Sequence, residues 1–235
     1  MTYIKMLMGA LIMTLFVAAA CVKAKPVEKG ETSSAKKIKR IAILGNSIVA
    51  HPVKAEIGWN WDWGMAASAR DSDFVHLLIA RVHQIDPAVE VQYGSIATFE
   101  QDYEQYDFAQ LAKYKNADLI IIKISENVDA QTAEKRGFIG YYDKLLNYLN
   151  AGKKSQVIIS DGFWPSPVND QIKAFAGSKN YPFVSLYDLY RDDPLNSAKG
   201  KFAHEGVSNH PSDQGMRNIA TRIWARMAPY FPTNK

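Results

Sequence analysis

Three polar stretches in this sequence adjoin apolar runs, and each carries a side chain suited to chemistry. The first is Leu44-Gly45-Asn46-Ser47-Ile48. A serine at a tight, glycine-assisted exit from a strand presents its hydroxyl and its own backbone N–H to a cleft, the posture of an activated nucleophile. Gly-Asn-Ser is equally an everyday turn. The second is Ile121-Ile122-Lys123-Ile124-Ser125-Glu126-Asn127. An asparagine just past a buried strand aims its amide N–H at a developing oxyanion, or else closes an Asx-turn or caps a helix. The third is Ser208-Asn209-His210-Pro211-Ser212-Asp213-Gln214-Gly215-Met216. Here His210 falls in a loop rather than on an apolar helix face. Pro211 fixes the local backbone, and Ser212 or Asp213 can cap the helix that follows.

A scaffold must bring these distant stretches together. Short apolar runs rich in Ile and Val, at residues 40–44, 89–93, 119–124, 157–160 and 183–186, read as strands. The unbroken apolar run 119–122 reads as a central strand covered on both faces. Helical stretches lie between them. Residues 73–85 can be capped by Asp71 or Ser72, and Tyr142, Leu145, Leu146 and Leu149 form an apolar stripe with Gly152 as a stop. Residues 168–175 and 214–227 are two further helices. No internal repeat is present. Strand–helix alternation predicts an α/β fold: one flavodoxin-like, three-layer α/β/α domain with a parallel five-stranded sheet over residues 38–235. In such folds the ligand site lies beyond the carboxyl ends of the strands. That places it after Leu44, after Ile124 and in the loop before the last helix, where the three polar stretches fall.

Taken together, these stretches resemble the SGNH hydrolase superfamily, the GDSL-like esterases and lipases. Gly45-Asn46-Ser47 stands where the family has Gly-Asp-Ser, Asn127 fits the third block, and His210-Pro211 with Asp213, Gly215 and Met216 fits the last. Gly64, within Trp63-Gly64-Met65-Ala66-Ala67-Ser68, is chosen over Gly58 for the glycine block, because the small residues after it let a backbone N–H approach the site. Ser125 departs from the usual glycine two residues before the block's Asn. The resemblance implies a serine esterase. His210 would take the Ser47 proton as the hydroxyl attacks an ester carbonyl, and the N–H groups of Ser47 and Gly64 with the Asn127 side chain would hold the oxyanion. The family's orienting Asp, three residues before the His, is replaced by Val207. Glu205 is the first candidate for its role. Asp161 is a second, and a backbone carbonyl on the imidazole would leave a Ser–His dyad.

Trp59, Trp61 and Trp63 alternate around Asp62, and Trp164 lies in a later strand-end loop beside Pro165. If extended, the alternating three would face one side and form a platform for sugar faces or an acyl chain; packing beneath the loop is the plainer reading. Carbohydrate O-acetyl esters are the leading substrate class, with lipid or long-chain acyl esters next. A third reading is an SGNH-shaped lipoprotein that binds ligand without turnover, and a fourth is a purely structural one. His76 and His83 read as surface or packing residues, His204 is near enough in sequence to join the site, and His51 and Glu126 have no assigned role. No spacing of His, Cys or Asp suggests a metal, and no glycine-rich phosphate loop occurs, so neither metal nor cofactor is expected.

The chain has 235 residues, 47% hydrophobic and 22% charged, which fits one well-buried domain and excludes wholesale disorder. Its net charge of +4 gathers in Lys23, Lys25, Lys29, Lys36, Lys37, Lys39 and Arg40. This basic run follows an export-type segment, and the rest is near neutral, so no nucleic-acid partner is expected. Lys5 precedes an uncharged apolar run at residues 6–19, too short to span a bilayer, and Ala18-Ala19-Ala20 leads into Cys21. This resembles a lipobox with Ala where Leu is usual. The only cysteine therefore reads as a lipidation site, after a signal peptide at 1–20 and before a tether at 21–37. The implied location is the cell envelope, with the membrane touched only through the lipid, at the outer membrane if the source is Gram-negative. A secreted or periplasmic form is the alternative.

Overall fold

The computed structural model describes residues 37–231. The signal segment, Cys21 and the tether up to residue 36 lie outside the described residues. Five strands form one parallel sheet in the order β2-β1-β3-β4-β5: β1 Arg40–Gly45, β2 Glu90–Ser95, β3 Leu119–Lys123, β4 Gln156–Ser160 and β5 Phe183–Val184. This is the flavodoxin-like order, and all five expected strands are present. β1 sits between β2 and β3 with Ile43 opposite Tyr93 on one side and Ile121 on the other. The chain reverses direction across the sheet at β1 and β3, and that switch point leaves a crevice at their carboxyl ends.

Among the described residues, seven α-helices flank or follow the strands: α1 Phe74–Ile85, α2 Ala97–Gln101, α3 Phe138–Leu149, α4 Pro167–Ser178, α5 Tyr187–Asp192, α6 Glu205–Ser208 and α7 Asp213–Met227. The period-2 alternation of β1 divides the core. Ile41 and Ile43 face Phe74, Leu78 and Val82 of α1 and Ile219, Ile223 and Met227 of α7. Ala42 and Leu44 face Phe138, Tyr142 and Leu145 of α3 and Ile172 of α4. Two boundaries differ from expectation. The cap of α1 is Asp73, whose side chain accepts from the His76 N–H, because Asp71 and Ser72 are already wound into a short 3-10 turn. Helix α3 ends at Leu149 with Asn150 as its cap, ahead of Gly152. At α7, Ser212 is the cap, accepting from the Gly215 N–H.

Candidate active site

β1 delivers Gly45, and the chain then closes a tight turn. The Asn46 carbonyl accepts from the N–H groups of Val49 at 2.9 Å and Ala50 at 3.1 Å, while its side-chain Oδ1 accepts from the Ile48 N–H at 3.2 Å. Ser47 stands at the tip, half-buried, and its own N–H has no partner among the described residues. The Ser47 Oγ lies 2.8 Å from the His210 Nε2. The other ring nitrogen, Nδ1, is 2.6 Å from the carbonyl of Gly206. A carbonyl can only accept, so Nδ1 carries the hydrogen and Nε2 turns its lone pair to the serine. Burial pushes the imidazole down to about 4, against the Gly206 bond and the charge of Glu126, which both favour the protonated form. Near neutral pH the ring is therefore the neutral form that can accept a proton.

Two candidates for the orienting acid are corrected, and the third alternative, a backbone carbonyl, is what meets the ring. Glu205 is exposed at the start of α6, and its carboxylate makes no hydrogen bond among the described residues; the helical turn offers the next residue's carbonyl to the ring instead. Asp161 binds the Ser185 hydroxyl at 3.0 Å and the Leu186 N–H at 2.5 Å, with burial raising it to about 6. Val207 is fully buried in a small apolar cluster with Trp59, Met65, Ala66 and Ala198. His204 is exposed and packs against Gly206 rather than reaching the serine.

Beneath the serine lies a polar network that sequence reading did not find. The Asn46 amide nitrogen donates to Glu126 Oε2 at 2.6 Å and to Glu100 Oε1 at 3.2 Å. Glu126 is also paired with Lys123, itself fully buried at the end of β3, and accepts from the Phe163 N–H at 2.7 Å. Burial, the largest single influence, would raise Glu126, but the adjoining Lys123 ammonium together with the Phe163 N–H and Asn46 bonds outweighs it and holds the carboxyl below its ordinary value. An Asn suits this place, because between two carboxylates the residue must donate. Ser125 is accommodated too. A side chain at Gly162 would meet the Ser125 hydroxyl at 2.2 Å, so the missing glycine at 125 is matched by a present one across the loop. The Ser125 hydroxyl instead donates to Asn169 Oδ1 at 2.6 Å, which also receives the Gly162 N–H at 3.1 Å.

Gly64 corrects another expectation. Its N–H donates to Asp73 Oδ2 at 3.1 Å, and a Cβ there would meet the Ile48 carbonyl at 2.6 Å. Its role is close packing against the serine turn, with its N–H already committed. The unpartnered donor lies two residues on. Ala66 is buried with φ of 71°, a left-handed conformation unusual for a residue with a Cβ, and its N–H has no partner among the described residues. The residue before it, Met65, binds the Ser47 carbonyl through its N–H at 2.8 Å. Asn127 is exposed past β3, and its amide nitrogen donates to Glu100 Oε2 at 2.7 Å.

The four tryptophans separate by environment. Trp59 is fully buried, its N–H given to the His51 carbonyl at 3.2 Å, so it is a core residue rather than part of a platform. The loop is not extended there. Lys54 and Trp59 pair as an antiparallel bridge that turns Trp59 inward. Trp61 is 38% exposed and lies beside the half-buried Trp63, with ring centroids 5.6 Å apart. Trp164 stands edge-on to the His210 ring at 5.1 Å, and its N–H donates to the Asn209 carbonyl at 3.2 Å. His76 and His83 bind Asp73 and the Val89 carbonyl, which are packing roles. Among the described residues no group of three or more His, Cys, Asp or Glu is arranged to hold a metal ion, and no helix is long and apolar enough to cross a membrane.

No protein-family model matches the sequence, and no curated protein matches it. Solved structures do. A two-domain esterase active on acetylated mannans superposes with a TM-score of 0.54 at 18% identity, over 83% of this chain and 50% of that one. The same type of enzyme co-crystallized with mannopentaose gives 0.52 at 17% identity, over 83% and 52%. A member of the lipolytic protein G-D-S-L family from Veillonella parvula gives 0.50 at 18%, over 80% and 98%. The chain spans about half the length of the two-domain esterase. At these identities the likeness is one of fold.

Proposed function

We propose that this chain is a serine esterase that removes acyl groups, foremost acetyl, from carbohydrate esters through a Ser47–His210 dyad. The observation that carries the reading is the 2.8 Å contact of Ser47 Oγ with an imidazole whose other nitrogen is held by a carbonyl, at the switch point of the sheet. His210 takes the hydroxyl proton as Oγ bonds to the ester carbon. The carbonyl oxygen becomes an oxyanion, and the protonated imidazole returns the proton to the leaving alcohol as the C–O bond breaks. Water then repeats the sequence on the acyl-enzyme, releasing the acid and the serine. The Ser47 N–H, the Ala66 N–H and the second N–H of the Asn127 amide are the oxyanion donors in this reading. A buried backbone N–H left unpaired is rare, which supports Ala66 in place of Gly64.

The Gly206 carbonyl fixes the tautomer as a carboxylate would, but contributes only a partial charge to the imidazolium. Turnover is therefore expected to be slower than in an acid-assisted triad, by less than the ~10⁴-fold loss that follows when the tautomer itself is wrong. The carbohydrate preference is supported by Trp61 and Trp63 beside the cleft loop and by the acetylated mannans on which the fold neighbour acts. The proposed location is the cell envelope, anchored through lipid on Cys21; loss of membrane partitioning in Cys21→Ser tests it. For the activity, p-nitrophenyl acetate, acetylated oligosaccharides and long-chain esters are compared in wild type and Ser47→Ala. Hydrolysis of the acetyl substrates that disappears in the variant supports the reading. A preference for long chains transfers the substrate to lipid, and equal inertness on all three leaves a ligand-binding module.

A further inference from the structure

Glu100 lies in α2, an element that none of the three polar stretches contains, and it is completely buried. Its Oε1 accepts from the Ser125 N–H at 2.7 Å, from Asn46 Nδ2 at 3.2 Å and from the Asn127 N–H at 3.4 Å. Its Oε2 accepts from Asn127 Nδ2 at 2.7 Å. All four partners are donors. They belong to the two loops that the reaction must hold in register: the turn that carries Ser47, and the loop that carries Asn127.

We propose that Glu100 is a positioning residue whose carboxylate joins the Ser47 turn to the Asn127 loop and sets the direction of the Asn127 amide. An asparagine can present either its oxygen or its NH2 group to a neighbour. Facing an acceptor-only carboxylate, Asn127 must turn its NH2 inward, and the second hydrogen of that group is then available for the oxyanion. On the other side, Asn46 Nδ2 is divided between Glu100 and Glu126, so the turn before Ser47 cannot rotate without breaking two charge-assisted bonds. The inference rests on the Ser47 esterase reading and deepens it.

The charged and titratable groups facing Glu100 are Lys123 at the end of β3, Glu126 in the loop after it, and Tyr142 from α3, whose buried hydroxyl has no hydrogen-bond partner among the described residues. Burial first, and then the charge of Glu126, raises Glu100 to about 7, against the Asn127 and Asn46 bonds and Lys123. A proton on Glu100 would place an O–H against N–H donors and loosen both loops. The organised form is therefore the ionised one, present above about 7 and lost as the pH falls through it. His210, held near 4, does not titrate over that interval.

The experiment compares wild type, Glu100→Gln and Ser47→Ala on p-nitrophenyl acetate between pH 5 and 9, with melting curves alongside. Glu100→Gln keeps the shape but sets an NH2 group against a donor. Its kcat is expected to fall about 10²-fold with KM changed less than threefold, the loss that follows misplacement of reacting groups. The wild-type kcat/KM is expected to rise with pH through about 7, and the residual Glu100→Gln activity to lack that rise. If Glu100→Gln does not fold, the wild-type profile decides: a rate flat from pH 6 to 9 overturns the proposal. Glu100→Gln within threefold of wild type, while Ser47→Ala is inactive, overturns the role of Glu100 alone. Ser47→Ala as active as wild type overturns the esterase reading first and this proposal with it.

Discussion

Beneath Ser47, two buried carboxylates and a buried lysine grip the turn through Asn46, whereas across the cleft His210 is held by one carbonyl and the edge of one indole. Both sides of the cleft are buried, yet only one is built with charge. The difference follows from what each side must do. The serine side has to fix several N–H donors, which acceptor-only carboxylates do well, and Lys123 offsets part of the cost of burying them. In the proposed esterase, the His210 side needs a neutral imidazole in one tautomer. A carbonyl turned toward the ring by α6 secures that without another buried charge.

The sharpest way to break this contrast is to charge the neutral side. Val207→Asp places a carboxylate three residues before His210, at a position enclosed by Trp59, Met65, Ala66 and Ala198. It is expected to cost about 3–5 kcal/mol in denaturant unfolding, the range for an uncompensated buried charge, and to lower activity rather than raise it. A gain in kcat would show that residue 207 reaches the imidazole.

The converse test overloads the charged side. Asn46→Asp creates a Gly-Asp-Ser turn and sets a third carboxylate at the position that lies 2.6 Å from Glu126 Oε2. Its kcat/KM is expected to fall about 10²-fold at pH 8, as the turn loses its alignment. Part of the activity should return as the pH falls and a proton is shared among the three. A wild-type rate across that range would mean the network does not hold the turn.

Smaller changes grade the base side. Trp164→Ala removes the edge contact at 5.1 Å and the bond to the Asn209 carbonyl, and kcat is expected to fall about 10-fold because the ring gains rotational freedom. Glu205→Gln is expected to stay within about twofold in activity, since an exposed side chain with no bond can be exchanged at little cost. A large loss there would return the acid role to Glu205.

The central strand was legible in the sequence because a parallel strand buried on both faces writes itself as an unbroken apolar run, as at residues 119–122. Ser47 and His210 were legible because strand ends and a His-Pro loop are local patterns. The holder of His210 was not, since a carbonyl has no side-chain signature and only the turn of α6 brings the Gly206 carbonyl to Nδ1. Glu100 was equally hidden. It lies in a five-residue helix with no apolar period to mark it, 54 positions from Asn46 in sequence. Lys123, a lone charge closing an apolar run, was the visible hint that the interior near the site must hold a counter-charge. The three-tryptophan platform failed because it assumed an extended loop, and the bridge between Lys54 and Trp59 folds the loop back.

The most direct test of the dyad is covalent labelling by a fluorophosphonate, with the modified residue located by mass spectrometry in wild type, Ser47→Ala and His210→Ala. One adduct is expected, on Ser47, at neutral pH, absent in Ser47→Ala and slowed by at least ~10³-fold in His210→Ala. An adduct on another serine, or labelling of Ser47 at an unchanged rate without the imidazole, would contradict it.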